Sequence, residues 1–104
     1  MTTIQVQSKK QVYSLIKTHG RSIRALGVQR LGLFGSFRTG RVRASSDVDF
    51  VVEFFPEKKT FDNLMDLSFF LEGILGRPVE LVTPQSLSST MLPHIVNQAE
   101  DVAF

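Results

Sequence analysis

Cysteine is absent from the 104-residue sequence, so the chain has no disulfide framework and no thiolate metal site. No apolar run approaches membrane-spanning length, and the polar N-terminus, with Thr2, Thr3, Gln5 and Gln7, shows no signal peptide. The formal net charge is only +2, so the overall charge does not require a nucleic-acid partner. From these absences we expect a cytoplasmic protein that binds neither a membrane nor nucleic acid directly.

The residues that are present predict a single domain over residues 1–104. Hydrophobic residues make up 42% of the chain, which suits a globular core, and the length is near the common domain size. No internal repeat, low-complexity tract or linker divides the sequence.

Hydrophobic periodicity predicts three helices. The first covers residues 8–26, with Ser8 as N-cap, a kink at Gly20 and His19 packed on the apolar side. The second follows the N-cap Thr60, ends at Gly76 and buries an apolar stripe made of Phe61, Leu64, Leu67, Phe70, Leu71, Ile74 and Leu75. The third covers residues 90–100.

Three strands are predicted at residues 28–34, 47–54 and 78–82. The apolar tail, residues 101–104, adds a short edge strand, packs on the sheet or meets a partner. The order helix, strand, strand, helix, strand, helix predicts an α/β (α+β) fold: a small mixed sheet with helices packed on one face and a groove open on the other.

Two acids two residues apart open the second strand. Asp47 and Asp49 point to the same face of a strand, where like charges repel each other. Burying even one carboxylate is costly unless something compensates its charge. A divalent cation is the simplest compensation, because Mg²⁺ takes carboxylate oxygens and shares substrate phosphates.

Gly35 and Ser36 end the first strand abruptly. Glycine allows a sharp turn and the close approach of a ligand, and a helical turn starting at Ser36 would offer free N–H groups to an anion. This is not a Walker A loop, because no Gly-Lys-Ser/Thr follows. Alone, each motif is common and each has an ordinary structural explanation. The combination of apolar strand, Gly-Ser, ten residues, Asp-x-Asp and a second apolar strand is more specific.

Three segments together resemble the signature of the DNA polymerase β-type nucleotidyltransferase superfamily. The matching residues are Leu33-Phe34-Gly35-Ser36, Ser46-Asp47-Val48-Asp49 and Pro78-Val79-Glu80-Leu81-Val82. The chain is most similar to the smallest branch, the minimal nucleotidyltransferases (MNT), which are the antitoxins of HEPN/MNT toxin–antitoxin pairs. The resemblance covers nearly the whole chain, in order, and implies a polymerase β-like nucleotidyltransferase core without extra domains.

The resemblance implies a Mg²⁺-dependent enzyme that transfers AMP from ATP to a hydroxyl, with two metal ions, as a type VII-like antitoxin. Asp47 and Asp49 would bind the ions, and Gly35 and Ser36 would hold the β- and γ-phosphates. Glu80, a lone acid in an otherwise apolar strand, would complete the metal site and help to deprotonate the acceptor; a surface-facing residue on an edge strand is the alternative. The acceptor that the family implies is a tyrosine of a helical HEPN ribonuclease toxin.

Arginines fill the loop between the first two strands. Arginine pairs well with phosphate, so Arg38 and Arg41 are candidate nucleotide ligands; a solvated, flexible loop is the alternative. Many relatives place an arginine just before the glycine that matches Gly40, where this chain has Thr39.

Two other functions stay open. The changed arginine, together with Glu80 where many relatives have aspartate, is compatible with a catalytically weak or silent antitoxin that neutralises its toxin by binding. A small-molecule nucleotidyltransferase of the antibiotic-modifying type is the lesser alternative: nothing in the chain offers a second domain to shape a drug pocket, although a dimer could build one. A homo- or hetero-oligomer is compatible with every one of these functions.

Overall fold

The computed structural model describes residues 5–104, which form helices and strands in mixed order. The elements are α1 (Lys9–Thr18), α2 (Gly20–Ala25), β1 (Val28–Phe34), α3 (Gly35–Thr39), β2 (Val48–Phe54), α4 (Phe61–Leu75), β3 (Val79–Val82), α5 (Met91–Gln98) and β4 (Glu100–Asp101). Short 3₁₀ turns lie at Pro56–Lys58 and Pro84–Ser86. No helix within residues 5–104 is long and apolar enough to cross a membrane.

The strands form one mixed sheet in the order β3-β2-β1-β4. β1 runs antiparallel to both β2 and β4, whereas β2 and β3 are parallel. A parallel pair needs a long crossover, and α4 provides it. The predicted mixed sheet is therefore confirmed. A short edge strand forms as one of the alternatives expected for the tail, but it begins at Glu100, because the last helix ends at Gln98 and not at residue 100.

The N-terminal helix is divided at His19. Ser8 caps α1 as predicted, since its side chain accepts a hydrogen bond from the Gln11 amide. The kink predicted at Gly20 is a full break, and α2 begins at that residue. His19 packs as predicted: its ring meets Phe70 edge-on at 5.8 Å, and Nδ1 lies 2.9 Å from the Leu15 carbonyl oxygen.

The core lies between the sheet and helices α1, α2 and α4. Alternate residues of β2 are buried, as period-two burial requires, and Leu67, Leu71 and Leu75 of α4 face them. Phe61 departs from the predicted stripe, because its side chain is 73% exposed. It is the first residue of α4, ahead of the buried positions, and the core does not reach that far along the helix.

The end of α5 reaches the opposite face of the sheet. Val96 and Ala99 line a small cavity together with Gly32 and Val51. A Cβ placed on Gly32 would lie 2.9 Å from Val51 Cγ1 and 3.1 Å from Ala99 Cβ, so only glycine fits there. Helices α1, α2 and α4 share one face, as expected, whereas α5 covers part of the other face, where no helix was predicted.

Candidate active site

The turn predicted at Gly35 and Ser36 begins a short helix. β1 ends at Phe34, and α3 begins at Gly35 with a φ of +74°, a region that favours glycine. A Cβ on Gly35 would overlap the carboxylate of Asp49. The glycine is therefore required twice, once by the backbone and once by the acid that lies against it.

Asp49 faces this turn from the neighbouring strand. It pairs in register with Phe34 at the end of β1, so its side chain lies beside the start of α3. On its other side, Asp49 pairs in register with Glu80 of β3. In a parallel pair, partners in register share a face of the sheet, and the two carboxyls therefore stand next to each other.

The Asp49 carboxyl is destabilised in its charged form. Burial raises its pKa to about 6, and the hydrogen bond and negative charge of Glu80, with the charge of Asp47, act in the same direction. Within residues 5–104, none of the four ion pairs involves Asp47, Asp49 or Glu80. The acids are thus gathered without a compensating cation from the described part of the chain.

Asp47 stands just outside β2, two residues before Asp49. Asp47 is exposed, whereas Val48 and Phe50 on either side of Asp49 are buried, and the charge of Asp47 contributes to the raised pKa of Asp49. Among the described residues, however, no three acidic, histidine or cysteine side chains are close enough together to hold a metal ion. The structure brings Asp49 and Glu80 together, and the Asp47 carboxylate does not form a group of three with them.

The two candidate arginines occupy different surroundings. Arg38 lies on α3 and points towards the β4 edge of the sheet, opposite the β3 edge, and its Nε is 3.4 Å from Glu100 Oε2. That Nε is buried and makes no hydrogen bond within residues 5–104, so the contact with Glu100 is an ion pair alone. Arg41 is exposed in the loop that follows α3. The structure therefore brings neither guanidinium to the paired acids.

Two groups near the site were missed at the sequence level. Glu100 accepts a hydrogen bond from Tyr13 and pairs with Lys9 as well as Arg38, and its pKa is lowered mainly by the tyrosine. Arg77 is buried in the connection between α4 and β3. The one available signal for Arg77 was a lone cation between a helix-ending glycine, Gly76, and Pro78.

Comparison with protein families gives one match over most of the chain. The nucleotidyltransferase domain family matches residues 16–102. A candidate protein adenylyltransferase of Methanocaldococcus jannaschii is 32% identical over 94 residues, which are 90% of this chain and 92% of the relative. The protein adenylyltransferase MntA of Thermococcus cleftensis is 31% identical over 90 residues, 86% of this chain and 90% of the relative.

Solved structures share the fold. A candidate minimal nucleotidyltransferase superposes with a TM-score of 0.79 at 25% identity, covering 89% of this chain and 94% of that one. The complex of a tri-AMPylated Shewanella oneidensis HEPN toxin with its MNT antitoxin contains a chain that matches with a TM-score of 0.61 at 21% identity. That match covers 88% of this chain and 71% of the other, and it shows the fold alone.

Proposed function

The chain belongs to the nucleotidyltransferase domain family, and from this we propose that residues 1–104 act as a single-domain protein adenylyltransferase and antitoxin. It transfers AMP from ATP to a tyrosine hydroxyl of a helical HEPN toxin. One observation carries the proposal: the paired carboxyls of Asp49 and Glu80 lie directly against the Gly35 turn. A metal-binding acid pair and a phosphate-binding turn have to meet in this way in a nucleotidyl-transfer site.

The relatives supply the reaction and the partner. Two proteins that match nearly the full chain are named as protein adenylyltransferases, which supports AMP as the group transferred. The structural neighbour from Shewanella oneidensis is an MNT antitoxin bound to an AMPylated HEPN toxin, which supports a HEPN protein as the acceptor. Because ATP is the donor, the cytoplasm is the compartment we expect.

The acids fit Mg²⁺ by their chemistry. Asp49 and Glu80 offer carboxylate oxygens, which Mg²⁺ prefers, and burial together with the neighbouring acids Glu80 and Asp47 raises the pKa of Asp49, so that a bound cation would relieve the cost of its charge. Asp47 is exposed at the end of the loop, and we expect its side chain to turn towards the pair and complete the set. Bound Mg²⁺, as two ions, would neutralise the triphosphate and the developing charge of an in-line displacement.

The chain's own residues would orient the reactants. Gly35 lets the triphosphate approach the backbone closely, and the Ser36 hydroxyl and the amides of the first turn of α3 donate to the β- and γ-phosphates. We expect Arg41, which is exposed on the following loop, to bind the same phosphates. These contacts fix the α-phosphorus in front of the acceptor hydroxyl.

The transfer step forms one bond and breaks one. The tyrosine oxygen attacks the α-phosphorus, the bond from that phosphorus to the α,β-bridging oxygen breaks, and pyrophosphate leaves. Glu80 is exposed at the edge of the sheet, where an incoming hydroxyl could reach it, and it accepts the hydroxyl proton as general base before releasing it to solvent.

Label transfer tests this function. The chain, a cognate HEPN protein, Mg²⁺ and ATP labelled on the α-phosphate are mixed, and labelled HEPN protein is measured. We expect label in the wild type, loss of label in Asp49→Asn, and a strong reduction in Glu80→Gln. Asp66→Asn, an exposed acid on α4, is the matched control and should label normally.

A binding antitoxin is the second candidate, and one contact favours it. Arg38, on the helix that begins at the phosphate turn, is tied to Glu100 instead of lying at the acids. If the HEPN protein is bound and inhibited without any label, the enzyme proposal fails and neutralisation by binding is the better account.

A further inference from the structure

Arg77 is the only charged side chain that is buried within residues 5–104, and it is 2% exposed. It follows Gly76, which ends α4 in a left-handed conformation with a φ of +69°, and it precedes β3. Burying a guanidinium is costly unless its donors are satisfied, so its partners reveal what the residue is for.

Three of its five hydrogen bonds within residues 5–104 go to the loop that leads to Asp47. Nη1 of Arg77 lies 3.0 Å from the carbonyl oxygen of Arg43, 3.2 Å from that of Ala44 and 2.9 Å from that of Ser46. These three carbonyls belong to the 40–47 loop, the segment between α3 and β2. One guanidinium group therefore holds three backbone carbonyls of the 40–47 loop, which contains no helix or strand.

The rest of the side chain is fixed from two other directions. Nε donates to the Val6 carbonyl at 2.6 Å, and Nη2 is 3.4 Å from Gln7 Oε1. The guanidinium carbon lies 5.1 Å from the centroid of the Phe37 ring, over its face, in a cation–π contact. Phe37 is the residue after Ser36, so this contact reaches the phosphate turn.

Within residues 5–104, Arg77 bonds to four backbone carbonyl oxygens and to the Gln7 amide oxygen, and it forms no ion pair with a carboxylate. The dipoles of these oxygens stabilise its charge. A planar fork with five donors can satisfy carbonyls on several sides at once, while a lysine ammonium is a compact point with three donors. The arrangement needs arginine in particular. It also leaves the negative charges of the site free for a ligand, since none of them is used to balance Arg77.

We propose that Arg77 is a positioning residue for the metal site. It ties together the α3 turn through Phe37, the loop that ends at Asp47 through its carbonyls, and β3, which carries Glu80 three residues later. By fixing the 40–47 loop it sets the reach of the Asp47 carboxylate towards Asp49. This role rests on the proposed nucleotidyltransferase function, because it concerns the acids that bind Mg²⁺.

Two substitutions should loosen the 40–47 loop, one at Arg77 and one within the loop. Arg77→Lys keeps the positive charge and removes the planar guanidinium with its five donors. Ser46→Ala leaves the buried charge untouched and removes the hydrogen bond, 2.8 Å long, that Ser46 Oγ accepts from the Arg43 amide. Arg21→Lys, on an exposed position of α2, is the matched control for the first substitution.

Three measurements separate positioning from general packing. Circular dichroism gives the thermal midpoint, hydrogen exchange gives the protection of the loop amides from 41 to 47, and calorimetry gives the affinity for Mg²⁺ alone. In Arg77→Lys we expect exchange of the loop amides to increase beyond the change in the β1 and β2 amides. Mg²⁺ affinity should fall by about tenfold, the size found when residues behind metal ligands are changed. Ser46→Ala should shift both readouts in the same direction by less, and Arg21→Lys should shift neither.

Loop exchange or Mg²⁺ affinity that stays at the wild-type value in a folded Arg77→Lys protein would overturn the proposal. If that variant does not fold, Ser46→Ala decides: a loosened loop with unchanged Mg²⁺ affinity means that the loop does not position the site. Exchange and metal binding are independent of transfer. If the wild type binds Mg²⁺ but labels no HEPN protein, the proposed function is wrong, and the role of Arg77 in positioning the loop is still decided by the exchange and Mg²⁺ measurements.

Discussion

Asp49 of β2 and Glu80 of β3 pair in register on parallel strands, so their carboxyl groups lie next to each other beside the Gly35 turn. Burial and this neighbour raise the pKa of Asp49 to about 6. The free-energy cost falls on the folded state, because the unfolded chain keeps the two charges apart. Relief of that cost is available from a bound cation, which links stability to ligand binding.

Neutralising Asp49 should stabilise the protein while it abolishes transfer. The folded-state pKa is raised, so the folded protein binds this proton more tightly than the unfolded chain. The contribution of the group to stability therefore falls as the pH rises from about 4 to about 6 and stays low above that. Since the side chain is partly exposed, we expect Asp49→Asn to gain about 1 kcal/mol over the wild type at pH 7.5.

Urea unfolding followed by circular dichroism measures this gain, because the chain has no tryptophan and a single tyrosine. The difference between Asp49→Asn and wild type should shrink towards pH 4. Asp66→Asn, on an exposed site, should show no such pH-dependent gain. A less stable Asp49→Asn at pH 7.5 would mean that the acid pair does not strain the fold.

Magnesium should raise the stability of the wild type. A ligand that binds only the folded state adds about 2.7 kcal/mol at one hundred times its dissociation constant. We expect the thermal midpoint at pH 7.5 to rise with Mg²⁺ concentration in the wild type and much less in Asp49→Asn or Glu80→Gln. At pH 5 the rise should be smaller, because protons then compete with the metal for Asp49. An equal rise in all three proteins would place the metal elsewhere.

Gly35→Ala and Gly40→Ala form a matched pair. Both glycines have positive φ, +74° and +84°, so alanine at either costs about 1–2 kcal/mol in the backbone. A Cβ on Gly40 meets nothing within 4 Å, whereas one on Gly35 overlaps the Asp49 carboxylate. Gly40→Ala should therefore lose stability and keep transfer, while Gly35→Ala should lose more stability and transfer as well. Similar activity losses in the pair would indicate that backbone strain alone matters.

The two candidate arginines should separate kinetically. Arg41 is exposed beside the phosphate turn, and Arg41→Ala should raise KM for ATP about tenfold, equivalent to about 1.4 kcal/mol of binding. Arg38 is engaged with Glu100, so Arg38→Ala should lower the thermal midpoint and change KM little. Arg21→Ala is the exposed control. A large KM effect from Arg38→Ala would show that this side chain leaves Glu100 when nucleotide binds.

Much of the fold was predictable because the chain's local signals agree with its tertiary structure. Ser8 and Thr60 cap the predicted helices, and Gly76 ends α4. Alternation in β2 put Asp49 on the face opposite the core. Phe61 was assigned wrongly, since periodicity places a residue on a face of the helix but does not say where along the helix the core stops.

The sequence indicated which acids form the site, but it did not indicate the contacts that Arg38 and Arg77 make around it. Glu80 stood out as a lone acid in an apolar strand, and β2 and β3 place it beside Asp49. The partners of Arg38 and Arg77 depend on contacts across the chain, to Glu100 and to the carbonyls of residues 43–46. No local pattern encodes such contacts, because an exposed and a buried arginine look alike in sequence.

The bonds of Arg77 also bear on the order in which the chain folds. They join it to residues 31 to 34 positions earlier in the loop and to Val6, 71 positions away. Contacts of this separation repay the entropy of closing long chain segments only late in folding. The β1–β2 hairpin can form on a nascent chain before residue 77 has left the ribosome, but the loop before Asp47 cannot yet be anchored. We expect a chain to acquire its catalytic geometry only once synthesis and folding are nearly complete, so that unfinished molecules neither bind metal nor modify a target.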